Sequence, residues 1–176
     1  LESGVTQSTT DVFLESAYFN PVSVRKSAKR HNLNTDASFR FERGCDPNST
    51  VYALKRAALL IQEICGGEIA SEVIDIYPSP IPHFDVELTY AKMDSLIGEV
   101  IDRQVVKNIL IDLEIEISKE NPNGLSLLVP PFRADVQREV DVIEEILRIY
   151  GFNTIAIPSK LNTTITNSEG VNPEQV

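Results

Sequence analysis

The chain's 176 residues are 42% hydrophobic and carry 16 Lys and Arg against 26 Asp and Glu, a formal net charge of −10. That length and apolar content suffice for one core or two small ones, and the acidic balance argues against nonspecific binding to a polyanion. Cys45 and Cys65 lack a CxxC partner and His31 and His83 cannot make a metal triad, so the reading is free thiols in a reducing cytoplasm, with neither a disulfide framework nor a zinc site.

No apolar run reaches about 18 residues and no charged-then-apolar signal opens the chain, so neither a membrane span nor a secretory leader is expected. The opening LESGVTQSTT reads instead as the interior of something longer. Val12 to Phe19, VFLESAYF, is an apolar run of strand length with Glu15 inside it, predicted as an edge strand with that carboxylate facing water. Asn20-Pro21 supplies a helix cap and a proline at the first helical position, opening a helix that ends near Asn32. Arg25, Lys26, Lys29, Arg30 and His31 crowd it, a run suited to phosphate or simply to solvent. Asn32 to Gly44 reads as a loop leading into a short strand, because Phe39 to Arg43 alternates. Asp46-Pro47 repeats the cap-plus-proline signal before a helix whose Val51, Leu54, Ala58, Ile61 and Cys65 are spaced for core packing, and Gly66-Gly67 ends it. Glu68 to Tyr77 is predicted as a strand or a pair of short strands.

Pro78, Pro80 and Pro82 make a stiff connector, the best boundary in the sequence. Beyond it Phe84 to Leu88 alternates as a strand. Thr89 is placed to cap a short helix through Ile97, with Gly98 as its stop. Asp102 caps a second helix that turns Val105, Val106, Ile109, Leu110 and Leu113 inward. Leu113, Ile115 and Ile117 alternate as a strand, and Asn121-Pro122-Asn123-Gly124 turns it back through Leu125, Leu127 and Val129. The charge concentrates here: residues 84–150 hold 7 Lys and Arg against 14 acids, residues 1–83 hold 8 against 10. Contact with nucleic acid therefore belongs more plausibly to the first section.

Pro130 and Pro131 bar helix and central strand, and an amphipathic helix follows and stops at Gly151. With Asp141 at zero and ~100° per residue, Val142, Ile143, Ile146, Leu147, Ile149 and Tyr150 span one apolar face. Asp141, Glu144, Glu145 and Arg148 take the other side. Three carboxylates at i, i+3 and i+4 repel one another unless a cation or solvent screens them. Asp135 would point into the apolar face if it were helical, so it is placed before or at the cap, free to fold toward the acids. Four hard oxygen donors without Cys or His suit a magnesium-type ion, and the alternative is a solvated acidic face. After Gly151 the chain turns polar and loses its period, reading as a linker.

Here the residues carry a family resemblance. RADVQREVDVIEEILRIYGFNTI resembles the B5 domain of the bacterial phenylalanyl-tRNA synthetase β-subunit family, whose pattern runs Arg-x-Asp, Asp-Leu-Ile-Glu-Glu, Arg-Ile-Tyr-Gly. FLESAYFNPVSVRKSAKRHNLNTDASFRFERGCDP resembles the end of the B3/B4 editing region of the same family. The resemblance implies that Asp135, Asp141, Glu144 and Glu145 hold a magnesium ion shared with the catalytic α subunit. It implies that Glu15 recognises the hydroxyl of a tyrosine mistakenly attached to phenylalanine tRNA, and that Ala37 lines that editing pocket. Arg25, Lys26, Lys29 and Arg30 become possible tRNA contacts.

The implied organisation is α+β: residues 1–77 as the C-terminal part of the editing domain, 78–83 as the proline connector, 84–157 as a small winged-helix-like B5 domain, and 158–176 as a polar linker. The implied whole enzyme is a cytoplasmic α2β2 ligase that uses ATP, magnesium, phenylalanine and its tRNA, with ATP bound outside this stretch. Upstream pocket residues and the aminoacylation site are missing from the stretch, so alone it is expected to be catalytically silent and to bind magnesium weakly or not at all. Two other readings stay open. One is a winged-helix nucleic-acid module, favoured by element order and opposed by the acidity of 84–150. The other is a metal-dependent hydrolase built on the four acids, which lacks a recognisable nucleophile or further base.

Overall fold

The computed structural model describes residues 4–156, so the linker expected at 158–176 lies outside the described residues. Three helices come first: α1 (Pro21–His31), α2 (Asp36–Phe41) and α3 (Thr50–Cys65), the last preceded by a 3-10 turn at Pro47–Ser49. The α1 cap works as expected, with Asn20 Oδ1 accepting from Ser23 N at 3.0 Å, and the helix closes on Asn32 in the left-handed region. Asp46 caps the 3-10 turn by accepting from Asn48 N, and α3 ends at Gly66.

Four expectations for this section fail. Phe39 to Arg43 does not form a strand: residues 36–41 are helical because Thr35 and Ser38 form a reciprocal capping box, with both cross-bonds made at 2.9–3.1 Å. The alternation was too short to outweigh a local nucleus. Val12 to Phe19 and Glu68 to Tyr77 are irregular rather than extended in a sheet, since no described strand lies beside either. A strand needs a neighbour to take its backbone hydrogen bonds, and the described residues offer these runs none. The apolar stripe of α3 is not core either, for no residue of that helix is buried. Among described residues up to 83, Pro47 alone is buried. Large apolar groups stay open to solvent, Phe13 at 94%, Ile74 at 85% and Ile64 at 77%.

The second section follows its expected element order, but the strand expected over Leu113, Ile115 and Ile117 begins only at Glu116, because Leu113 caps the preceding helix. It runs β1 (Phe84–Thr89), α4 (Tyr90–Ile97), α5 (Arg103–Asp112), β2 (Glu116–Asn121), β3 (Gly124–Val129) and α6 (Glu139–Tyr150). The strands form one antiparallel sheet in the order β1-β3-β2, with Phe84 opposite Val129 and Thr89 opposite Gly124. As the central strand, β3 buries Leu125, Leu127 and Val129. Gly124 is required there. A Cβ on it would lie 2.1 Å from the Leu88 carbonyl oxygen of the neighbouring strand, which no side chain tolerates. Asp102 caps α5 by accepting from Gln104 N and Val105 N. Val105 itself is 38% exposed rather than inward, while Val106, Ile109, Leu110 and Leu113 are buried.

Thr89 makes no side-chain cap bond. Its Oγ1 donates at 2.6 Å to Glu139 Oε1, which also accepts from Thr89 N at 2.8 Å, while Lys92 Nζ holds the other oxygen at 2.7 Å. One carboxylate thus ties the start of α6 to the end of β1. Val142, Ile143 and Ile146 of α6 seal the core, each such burial contributing about 1.5–3 kcal/mol. Leu147 and Tyr150 are only partly buried and Ile149 is 47% exposed, so the apolar face that packs is narrower than the periodicity suggests. No helix among the described residues is long and apolar enough to cross a membrane.

Candidate functional site

The segment from Arg133 to Arg148 brings charged groups together in two clusters. At the α6 N-terminus, Asp141 completes a capping box: its Oδ2 accepts from Arg138 N at 2.9 Å and Gln137 N at 3.2 Å. The Arg138 guanidinium grips the same carboxylate, Nε to Oδ2 at 3.1 Å and the terminal nitrogen to Oδ1 at 2.7 Å. One turn on, Glu145 is shared by two arginines. Arg148 donates to both of its oxygens at 2.9 and 2.7 Å, and Arg133 donates to Oε2 at 3.1 Å. Arg133 also donates through Nε to the Leu113 carbonyl at 2.7 Å, so it fastens α6 to the end of α5.

These contacts set the electrostatics. The Arg138 hydrogen bond holds the Asp141 carboxyl below the ordinary carboxylate range, with burial opposing it. Arg148 does the same for Glu145, again against desolvation, and Arg133 adds to it. Asp135 and Glu144 are exposed, and their side chains make no hydrogen bond to a described residue. The four predicted ligands therefore share one region but are not assembled. Among the described residues no group of three or more His, Cys, Asp or Glu is gathered as a metal site requires. The donor set suits magnesium in its chemistry, all hard oxygen, yet does not fit it in arrangement, because two of the four carboxylates already hold guanidinium ions.

In the first section Glu15 is exposed and borders an open cavity of about 390 Å³, together with Phe19, Phe41, Cys45, Thr50 and Ala53. Phe19 and Phe41 stand edge to face there, with ring centroids 5.1 Å apart. Ala37 is exposed on α2 and does not line this cavity, so the structure does not bring the two predicted editing residues into one pocket. Arg25, Lys26, Lys29 and Arg30 are exposed on α1, and none pairs with a described acid. Sequence reasoning missed the partners of the acids. Arg138 with Asp141 and Glu145 with Arg148 each stand at i, i+3, a spacing that signals a helix-surface pair. Arg133 carried no such signal, since Glu145 lies twelve residues away.

Residues 1–66 match the B3/4 domain model and residues 86–152 match the tRNA synthetase B5 domain model, in that order. The chain is 58% identical over 166 residues to the phenylalanine–tRNA ligase β subunit of Bacteroides fragilis strain YCH46, covering 94% of the chain and 20% of that protein. The chain belongs to the phenylalanine–tRNA ligase β-subunit family. The β subunit of Porphyromonas gingivalis strain W83 is 50% identical over 165 residues, 94% of the chain and 20% of that protein. That of Geobacter sulfurreducens is 39% identical over 153 residues, 87% of the chain and 19% of that protein. The chain thus spans about a fifth of the length of the curated relatives it matches. Within this family α4 through α6 and their sheet are the B5 part, and the arginine-held acids stand on its last helix.

Proposed function

We propose that the chain is a segment of a cytoplasmic phenylalanine–tRNA ligase β subunit, and that it supports the ATP-dependent attachment of phenylalanine to its tRNA only within the whole enzyme. One observation carries this reading: the B3/4 and B5 models match in order along a chain that is 39–58% identical to β subunits over 87–94% of its length. On the same reading the chain divides at 78–83, residues 1–77 belonging to the editing domain and 84–157 to B5. The α subunit and phenylalanine tRNA are its partners in an α2β2 assembly. ATP is used by the whole enzyme and not bound by this segment.

Glu15 and Ala37 are proposed for the editing pocket. Sorting tyrosine from phenylalanine demands a group that hydrogen-bonds the extra hydroxyl, because a pocket that merely tolerates bulk rejects it poorly. A carboxylate bordering an aromatic-lined cavity supports Glu15 in that role. Ala37 would act by leaving room. Arg25, Lys26, Lys29 and Arg30, exposed and free of described acidic partners, are proposed as phosphate contacts on the tRNA. The family resemblance assigns Asp135, Asp141, Glu144 and Glu145 to a magnesium ion shared with the α subunit, an assignment that the arrangement of these four carboxylates in the chain alone does not fit.

The test is made in the whole β subunit bound to its α partner. Ala37→Trp is expected to abolish hydrolysis of tyrosyl-tRNA while phenylalanine charging continues, whereas the 176-residue chain alone charges nothing. Charging by the isolated chain, or no charging by the assembled enzyme, would overturn the proposal. The element order of 84–157 favours a second reading, a winged-helix nucleic-acid module, and salt-sensitive duplex binding by the chain would support it.

A further inference from the structure

The longest helix of the first section, α3, has two unlike sides. With ~100° per residue, Val51, Leu54, Ala57, Ala58 and Leu60 fall on one side, and all are half-buried. The opposite side carries Tyr52, Lys55, Arg56, Leu59, Gln62 and Glu63, and all are exposed. Its two apolar members lie on the centre line. Tyr52 and Leu59 stand seven residues apart, two turns along one row, and are 74% and 52% exposed. Arg56 and Glu63 form one margin of that row, and Lys55 and Gln62 form the other, each couple again seven apart. None of Lys55, Arg56 and Glu63 has an ion pair among the described residues. An apolar row with charged margins, repeating every seven residues, is the pattern of a seam between two helices.

We propose that this side of α3 pairs with the same side of a second copy of the chain, the two helices antiparallel about a two-fold axis beside Leu59. Charge complementarity selects both the occupant and the direction. The basic groups lie in the N-terminal half of the row and the acid in the C-terminal half, so reversing one helix sets Arg56 opposite Glu63 of the second copy, twice by symmetry. Lys55 meets Gln62 of the second copy on the other margin. A parallel pair would instead set Arg56 beside Lys55 of the second copy, a contact between like charges. Tyr52 and Leu59 of both copies close the middle, where an aromatic and an aliphatic group shielded by a polar rim supply most of the binding free energy. The exposed ion pairs contribute register rather than strength. Because each copy uses the same patch, the association closes at two chains. The other uncovered apolar run, residues 69–76, holds Glu72 and Asp75 and no basic residue, so it offers a second copy only like charge. Nothing in the α3 pairing depends on which enzyme the chain belongs to.

The test follows the 176-residue chain by sedimentation equilibrium over a concentration series, with far-ultraviolet circular dichroism recorded for each variant. Wild type is expected to pass from monomer to dimer as concentration rises and to go no further. Leu59→Asp weakens the association by about tenfold or more and leaves the dichroism unchanged, since that side chain seals no core. Arg56→Glu and Glu63→Arg each weaken it as separate proteins. Mixing those two variants restores the dimer, because each copy then meets an opposite charge at both contacts. Ile74→Asp, in the other uncovered run, changes nothing. A chain that stays monomeric at every concentration would overturn the proposal and leave this side of α3 to a different partner. Growth past the dimer, a dimer that survives Leu59→Asp, an equal loss in Ile74→Asp, or a mixture of the charge variants no more associated than either alone would overturn it too. Should Leu59→Asp not fold, the mixing experiment decides, as it replaces only exposed charged residues.

Discussion

At the scale of single residues, several carboxylates of the second section are gripped by arginine or lysine. Asp94 shows how such a pair works. Arg103 reaches both of its oxygens, one at 2.8 Å, while the guanidinium carbon stands 4.3 Å from the centroid of the Tyr90 ring. The pair joins α4 to the first turn of α5. The Arg103 hydrogen bond holds the Asp94 carboxyl below its ordinary value, with partial burial opposing it. A carboxyl whose folded pKa is depressed stabilises the fold fully above its unfolded value, about pH 4, and loses that contribution as pH falls through the lower folded value. Asp94→Asn should therefore lower the melting temperature by a constant amount near neutrality, and the gap from wild type should close as pH drops below about 4. Melts collected from neutral to acid pH check this, and a gap that widens toward acid would mean that the pair is not the cause.

At the scale of elements, α6 shows how burial and periodicity part company. Its hydrophobic residues span nearly half the helix, but β1, α4 and α5 cover only the centre of that stripe. Ile146 is fully buried and Ile149, one turn on, is 47% exposed. Ile146→Ala should cost about 2–5 kcal/mol, the transfer of the side chain plus the cavity left behind. Ile149→Ala should stay within about 0.5 kcal/mol. Urea titrations of the two variants distinguish these outcomes, and comparable losses would mean that Ile149 is covered in solution. Alternating strands and capped helices were readable in this section because each element carried its own local signal. In the first section the short α2 was not, since a capping box beginning at Thr35 outweighed an alternation that covers only five residues.

At the scale of the whole chain, the two sections meet at a glycine. Gly44 adopts φ +92°, and a Cβ added there would lie 2.6 Å from the Ala134 Cβ, in the loop that leads to Asp135. Tyr18, Glu42 and Arg43 from one side and Ile81, Phe84 and Gln137 from the other enclose a cavity of about 410 Å³ beside this contact. Close approach here needs small groups on both sides. Ala134→Leu should part the sections while leaving the core of 84–146 folded, because Ala134 lies outside that core. Limited proteolysis would then cut the Pro78–His83 connector faster than in wild type, with the circular dichroism unchanged. Equal cleavage rates would mean that the glycine contact does not hold the sections together. The alanine at 134 adjoins the acidic loop, so docking of the first section and the placement of Asp135 share a structural cause.

The sequence by itself determined the caps at Asn20 and Asp102, the stops at Gly66, Gly98 and Gly151, the hairpin at 121–124 and the family motifs, because all of these act between residues close in the chain. It also determined that α6 carries an acidic face. Only the tertiary structure decided whether extended runs found partners: 84–89 did, and 12–19 and 68–77 did not among the described residues. It decided that α3 is uncovered and that Arg133 crosses twelve residues to reach Glu145. Those outcomes hang on which distant groups arrive alongside, and a pattern read along one chain records what a segment can offer, not what comes to meet it.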